Sequence, residues 1–223
     1  MKPIETERLL IDEIRESDKA DYFANISHDK EVLKTFICNY AESLEEFDFS
    51  KYLGRRDLFA IRLKDSGRLI GIILYFDAEA GKCEVGYGIG SGFWNRGYVT
   101  EALRAFLRFL FGEKGFERVF ASFFPENTAS RRVMEKCGMK YSHTAEKELT
   151  YLEKERDLVY YVIEKGEHTM EKQIVTITIK TKGDECQMKD AEIKAWYEEK
   201  VAGLFNPAYG TPEIDVKLER KKD

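Results

Sequence analysis

Apolar and polar residues change rhythm several times along these 223 residues, and each change marks an element. In "ERLLIDEI" (7–14) Leu9, Leu10 and Ile11 run together, which predicts a strand whose inward face is left open. "SDKADYFANIS" (17–27) follows at helical spacing, with Ser17 as N-cap and Ala20, Phe23 and Ala24 as the apolar side. Residues 29–54 predict one or two short helices. Val32, Leu33 and Phe36 share a side of the first, Leu44, Phe47 and Phe49 serve the second, and Gly54 is the stop. Three β-branched and aromatic runs come next, "LFAIRL" (58–63), "RLIGIILYF" (68–76) and "KCEVGYGIG" (82–90), with Asp/Gly turns between them. That punctuation predicts an antiparallel meander.

The rhythm then changes to helical. From Tyr98 to Phe111 the apolar positions are Val99, Ala102, Leu103, Phe106, Leu107, Leu110 and Phe111, with Arg104 and Arg108 on the wet side. "RVFASFF" (118–124) is a strand, and "NTASRRVMEKCG" (127–138) a short helix capped by Asn127 or Thr128 and stopped at Gly138. Residues 139–149 and 156–165 close the pattern as a pair of strands. A helix joins the strand at 82–90 to the one at 118–124, so those two must run parallel if they pair. The predicted fold is α/β (α+β): a mixed, mostly antiparallel sheet flanked by helices over 1–166. After Gly166 the pattern restarts as a β–α–β piece, 167–223. Its strands are expected at 173–181 and 213–219, around a helix at 184–205. Asp184 and Gln187 form a capping box for that helix, and its stripe is Ile193, Trp196, Tyr197, Val201 and Leu204. A piece this small either packs on the main domain or pairs with another chain, as in a homodimer.

Composition narrows the classes. Four scattered cysteines and three scattered histidines make no zinc-like cluster, so no metal is expected. The net charge of −5, with signs intermixed, argues against a nucleic-acid grip. No apolar run approaches membrane-spanning length and the start lacks a secretory pattern, so a soluble, cytoplasmic protein is expected.

The stretch that carries chemistry is "GFWNRGYVTEAL" (92–103), a glycine-bearing loop leading into the long helix. A helix start presents backbone N–H groups without intrahelical partners and the positive end of the macrodipole. Glycine there admits a diphosphate to the backbone; Arg96 adds a cation and Thr100 a hydroxyl. The dinucleotide fingerprint does not fit an antiparallel meander, and the P-loop lysine is missing.

"EVGYGIGSGFWNRGYVTEALRAFLRFLF", followed by "NTASRRVMEKCGMK", resembles the GNAT superfamily of acetyl-CoA-dependent N-acetyltransferases, in the branch of the ribosomal-protein N-terminal acetyltransferases. The opening "IETERLLIDEI" is typical of the same branch, and the resemblance covers residues 3–165. The family's Q/R-x-x-G-x-G/A loop maps onto Trp94, Asn95, Arg96, Gly97, Tyr98 and Val99, with Trp and Val departing from the pattern at its two ends. The resemblance implies pyrophosphate binding by backbone N–H groups from Asn95 to Thr100. It also implies pantetheine contacts from Asn127 and Ser130, and a thioester carbonyl held by a strand N–H near Ile89. A plain N-cap is the alternative for Asn127, and a solvated loop cation for Arg96. Trp94 reads as a packing anchor without chemistry.

The implied activity is acetyl transfer to an amine by direct attack in a ternary complex. Glu84 is the candidate general base through water, or else only an exposed strand residue. The tyrosine acid of some relatives would fall at Met134, leaving Tyr87, Tyr98 and Tyr141 as substitutes. Acceptors consistent with this reading are a protein N-terminus, an aminoglycoside-like antibiotic, a polyamine or another small amine. Tyr22, Phe23, Phe36, Tyr40, Phe47 and Tyr52 are either acceptor lining or core. The rival reading is a non-catalytic acyl-CoA-binding module that recruits a partner through 167–223.

Overall fold

The computed structural model describes residues 2–167, the backbones of Ile174–Lys182 and Glu213–Lys221, and the helical residues Ala195 and Glu199. Two compact units divide the chain, Met1–His168 and Thr169–Asp223. The first begins with β1 (Ile4–Glu5), β2 (Leu9–Glu13) and a short α1 (Lys19–Tyr22), and continues with β3 (Leu58–Leu63), β4 (Leu69–Glu79) and β5 (Lys82–Ile89). Then come α2 (Tyr98–Gly112), β6 (Arg118–Phe123), α3 (Thr128–Lys136), β7 (Lys140–Tyr151) and β8 (Lys154–Glu164). The strands form one eight-stranded sheet in the order β1-β2-β3-β4-β5-β6-β8-β7. Each neighbouring pair is antiparallel except β5 with β6, which the α2 crossover makes parallel.

Both faces of the sheet are covered near β3–β5, which is why Leu58–Ile61 and Leu69–Ile73 contain unbroken apolar runs. One core joins Leu9, Ile11, Phe59, Cys83, Val85 and Ile89 to the inward side of α2, with Leu103, Phe106 and Leu110 at its centre. This resolves the register left open at 9–11: Leu9 and Ile11 face α2. The second core lies on the opposite face, where Tyr22, Ile26, Phe47, Phe49 and Tyr52 pack on Leu58, Ala60 and Ile72.

Two expectations fail in that second layer. Ser17 is exposed and caps nothing; instead the Asp18 carboxylate accepts the Arg15 amide at 2.7 Å. The helix is a 3₁₀ turn, four residues of α1 and a π turn at Phe23–Ser27. The wider turn shifts the phase, so Tyr22 and Ile26 are buried while Ala20 and Ala24 are exposed. Residues 29–54 form no α-helix, only 3₁₀ turns at Val32–Lys34 and Ser50–Tyr52. Polar side chains there take neighbouring amides: Asp29 accepts from Glu31 and Val32, Ser43 from Glu46, and Asp48 from Ser50. Such local bonds compete with helix propagation.

In the second unit β9 (Ile174–Lys182) and β10 (Glu213–Lys221) pair in parallel, which requires a crossover connection. Apart from Ala195 and Glu199, the helix expected at 184–205, with its capping box and apolar stripe, lies outside the described residues. Among the described residues no helix is long and apolar enough to cross a membrane, and no group of His, Cys, Asp and Glu could hold a metal ion.

Arg62 ties β3 to the start of the second layer. Its Nε donates to Asp12 at 2.6 Å and its Nη2 to Asp18 at 2.7 Å, with all three residues buried. Removing the cation leaves two buried carboxylates with only Arg15 for compensation, its guanidinium at Asp12 and its amide at Asp18. Arg62→Met is therefore expected to lower the unfolding free energy in urea by about 3–5 kcal/mol. A loss below about 1 kcal/mol would show that water reaches this cluster.

Candidate active site

β5 and β6 pair only through Lys82↔Arg118, Cys83↔Val119 and Glu84↔Phe120. Beyond that point β5 stays on β4 as far as Ile89, and β6 stays on β8 as far as Phe123. The sheet therefore opens between them. Which backbone groups face the opening follows from the β4–β5 ladder. Gly90 N–H donates to Ile70 O at 2.9 Å, and Gly88 lies opposite Ile72. In an antiparallel ladder, alternate residues turn their N–H and C=O to opposite neighbours. Gly88 and Gly86 thus bond β4, whereas the N–H groups of Tyr87 and Ile89 face the opening. The Ile89 carbonyl is taken by the indole N–H of Trp94 at 2.9 Å. Trp94 is 41% exposed, so the expected packing anchor is instead a backbone tie at the mouth of the opening.

The α2 start lies just past β5. Gly97, the N-cap, has φ 79°, a left-handed conformation natural to glycine, and among the described residues no side chain caps the first-turn amides. Asn95 also has positive φ, at 60°. The turn is held from outside: Arg8 donates to the Arg96 carbonyl at 3.0 Å, and its guanidinium lies 4.5 Å from the centroid of the Tyr98 ring. Glu101 accepts from Thr6 at 2.6 Å and from the Arg8 Nε at 2.7 Å. Burial works to raise the Glu101 carboxyl, but these bonds hold it below the ordinary range. The Arg96 side chain is exposed at the same turn.

Asn127 caps α3, its Oδ1 accepting the Ser130 amide at 3.1 Å. The Tyr87 hydroxyl reaches across to Ser130, 2.8 Å from its Oγ. Burial raises the Tyr87 hydroxyl well above the ordinary phenol range, so it stays protonated. Of the three substitute tyrosines, only Tyr87 lies on the strand lining the opening; Tyr98 lies under Arg8, and Tyr141 is 59% exposed on β7.

Glu84 occupies the other face of β5, opposite Tyr87, at the last paired position before the strands separate. Ser122 Oγ donates to it at 2.5 Å. Burial pushes its carboxyl above the usual range, the Ser122 bond opposes this, and Asp77 and Glu148 add to the rise. Ile89 lies five positions along the strand from Glu84, roughly 17 Å. Any proton path between their neighbourhoods therefore runs through water. The Ser122 partnership was invisible in the sequence, because it depends on strand register. Tyr22, Phe47 and Tyr52 are core, and Tyr40 is 50% exposed. Phe36, also proposed as lining, packs against β5 at Gly88.

A sheet split at its parallel pair, with a bare helix N-terminus at the mouth, suits a long phosphate-bearing acyl donor. Residues 8–140 match the family described as Acetyltransferase (GNAT) domain, and the chain belongs to that family. Acetyl transfer is its activity, and the family's acyl donor is acetyl-CoA. An uncharacterised N-acetyltransferase of Bacillus subtilis, YoaA, is 31% identical over 147 residues, 61% of this chain and 82% of its own. The crystal structure of a GNAT-family acetyltransferase from Bacillus anthracis is 30% identical with a TM-score of 0.67, covering 74% of this chain and 99% of that one. A ribosomal-protein-S5-alanine acetyltransferase from Vibrio fischeri shares the fold, at 17% identity and a TM-score of 0.65, over 75% of this chain and 99% of its own.

The raised Glu84 carboxyl has a consequence for stability. The folded state holds its proton more tightly than the unfolded state does, so stability falls as pH rises from the ordinary carboxylate range to the raised folded value. Glu84→Gln is expected to flatten that slope and to melt above wild type at neutral pH. Thermal melts between about pH 4 and pH 8 test this, and an unchanged slope would assign the pH dependence to other groups.

Proposed function

We propose that this protein moves an acetyl group from acetyl-CoA to a primary amine by direct attack within a ternary complex. The observation that carries this reading is the Ile89 N–H, turned into the opening beside the uncapped start of α2. In this reading, the backbone N–H groups from Asn95 to Thr100 hold the pyrophosphate. Arg96 adds charge, and the helix dipole favours the anion. Asn127 and Ser130 lie along the path of the pantetheine arm. Asn127 Oδ1 already serves the cap, which leaves its amide nitrogen as the group to donate. The Ile89 N–H polarises the thioester carbonyl where negative charge develops.

The acceptor must arrive as a neutral amine or lose a proton on the way. Glu84 takes that proton through water. Its raised carboxyl matches a base working nearer neutral pH than an ordinary glutamate does. Tyr87 stays protonated beside α3 and is our assignment as the hydrogen-bond donor that steadies the departing thiolate, which leaves without taking its proton. The cysteines favour direct attack over an acyl-enzyme. Burial pushes the thiols of Cys83 and Cys137 up to about 12, so neither is a thiolate at neutral pH.

Glu84→Gln is expected to lower kcat about 10²-fold with acetyl-CoA affinity unchanged, measured by calorimetry and by release of free CoA thiol. A loss below about threefold would make Glu84 a structural residue. The non-catalytic alternative separates in the same experiment, because it requires tight acetyl-CoA binding with no acetyl transfer to any amine. For the helix start, Gly97→Ala is expected to cost about 1–2 kcal/mol at a left-handed position and to weaken acetyl-CoA binding while leaving the acceptor KM near wild type. Unchanged acetyl-CoA affinity would remove the pyrophosphate from this turn.

A further inference from the structure

We infer that Phe36 sets the width of the acceptor end of the opening and that Tyr151 positions it, so that the acceptor is a primary amine on an unbranched carbon. This inference rests on the acetyl-transfer reading above. Phe36 lies against β5 at Gly88, one residue before Ile89. A Cβ built on Gly88 would sit 3.0–3.2 Å from Cδ1, Cε1 and Cγ of the Phe36 ring, so the ring edge occupies the space a side chain would take. That contact is on the Glu84 face of the strand, where the acceptor must approach.

The ring is fixed from two directions. At the start of its turn, Asp29 accepts the Ser91 amide at 2.7 Å with one oxygen and the Glu31 and Val32 amides with the other. Burial works to raise the Asp29 carboxyl, but these bonds hold it below the ordinary range, so the anchor is an ionised one. At the end of the turn, the Tyr151 hydroxyl shares its proton between the carbonyls of Leu33, at 2.5 Å, and Phe36, at 3.2 Å. Tyr151 ends β7 and stacks on Phe124, centroids 5.6 Å apart and planes 22° apart. Phe124 follows β6 directly and carries Arg156 over its ring at 4.5 Å.

These contacts run from the end of β6 through Phe124, Tyr151 and the 33–36 turn to Phe36 on β5, bridging the two strands that separate. An amine on a CH2 group presents little width beside such a ring. An amine on a carbon bearing a second substituent, as at a protein N-terminus other than glycine, is wider on the side the ring occupies.

The test compares propylamine with isopropylamine, which are similar in basicity, using the full chain with acetyl-CoA and following CoA thiol release. Release without amine is measured too. Wild type is expected to prefer the unbranched amine about tenfold or more in kcat/KM, and Phe36→Ala to reduce that preference to about threefold or less. Phe36→Ala is also expected to raise acceptor-free release about fivefold, because water then reaches the thioester, while Phe36→Leu stays near wild type. Tyr151→Phe keeps the ring on Phe124 and loses only the hydroxyl bonds. Its expected effect is a rise in amine KM of about fivefold with kcat within about twofold, a split that general destabilisation would not produce.

If Phe36→Ala leaves both the preference and the acceptor-free release within about twofold of wild type, the inference is overturned. If wild type acetylates neither amine although calorimetry detects acetyl-CoA, the primary-amine reading fails, and acceptor-free release alone decides the role of Phe36. Absence of any acetyl-CoA binding overturns both.

Discussion

The separation of β5 from β6 after Glu84 is the constraint on which the rest of this structure depends. Three residue pairs hold the parallel strands together, and beyond them each strand follows a different neighbour. The crossover through α2 makes this geometry available, because it forces the parallel pair of the eight-stranded sheet and brings the helix start to the top of β5. Both strands pack on the same core as they separate. Val85 and Ile89 are anchored in the α2 layer, while Val119, Ala121 and Phe123 reach the same layer further along the sheet. Backbone N–H groups thus face a space that no strand fills, which a continuous sheet could not offer.

Much of this was legible in local pattern. The apolar stripe of α2, the three meander strands and the glycine-bearing loop are short-range features, and their boundaries in the structure fall within a few residues of the expected ones. The residues at 17–54 were misread for a physical reason. Asp18, Asp29, Ser43 and Asp48 satisfy nearby backbone amides, and a π turn rotates the buried face. What could not be read were the partnerships made by register or by tertiary contact. Ser122 meets Glu84 because β6 is in parallel register with β5, and Tyr151 meets Leu33 and Phe36 from the end of the β7–β8 hairpin. No spacing in the chain encodes either contact.

The two faces of β5 divide the chemistry. Tyr87 and the α3 cap lie on the side of the first core, Glu84 and Phe36 on the other. In the proposed reaction, side-chain alternation along a single strand would separate the donor side from the acceptor side. Gly86 and Gly88 maintain that separation, since a side chain at either would press on Leu74 and Phe76 or on Phe36.

The tie between Trp94 and Ile89 has a consequence beyond catalysis. An opened sheet is two inner edges, and free edge groups invite another extended segment to add as a strand. The indole takes the carbonyl such a segment would first engage, and the bridge through Tyr151 and Phe36 spans the gap it would have to enter. The fold can then keep a polar cleft in the middle of its sheet without offering a template for intermolecular β-pairing.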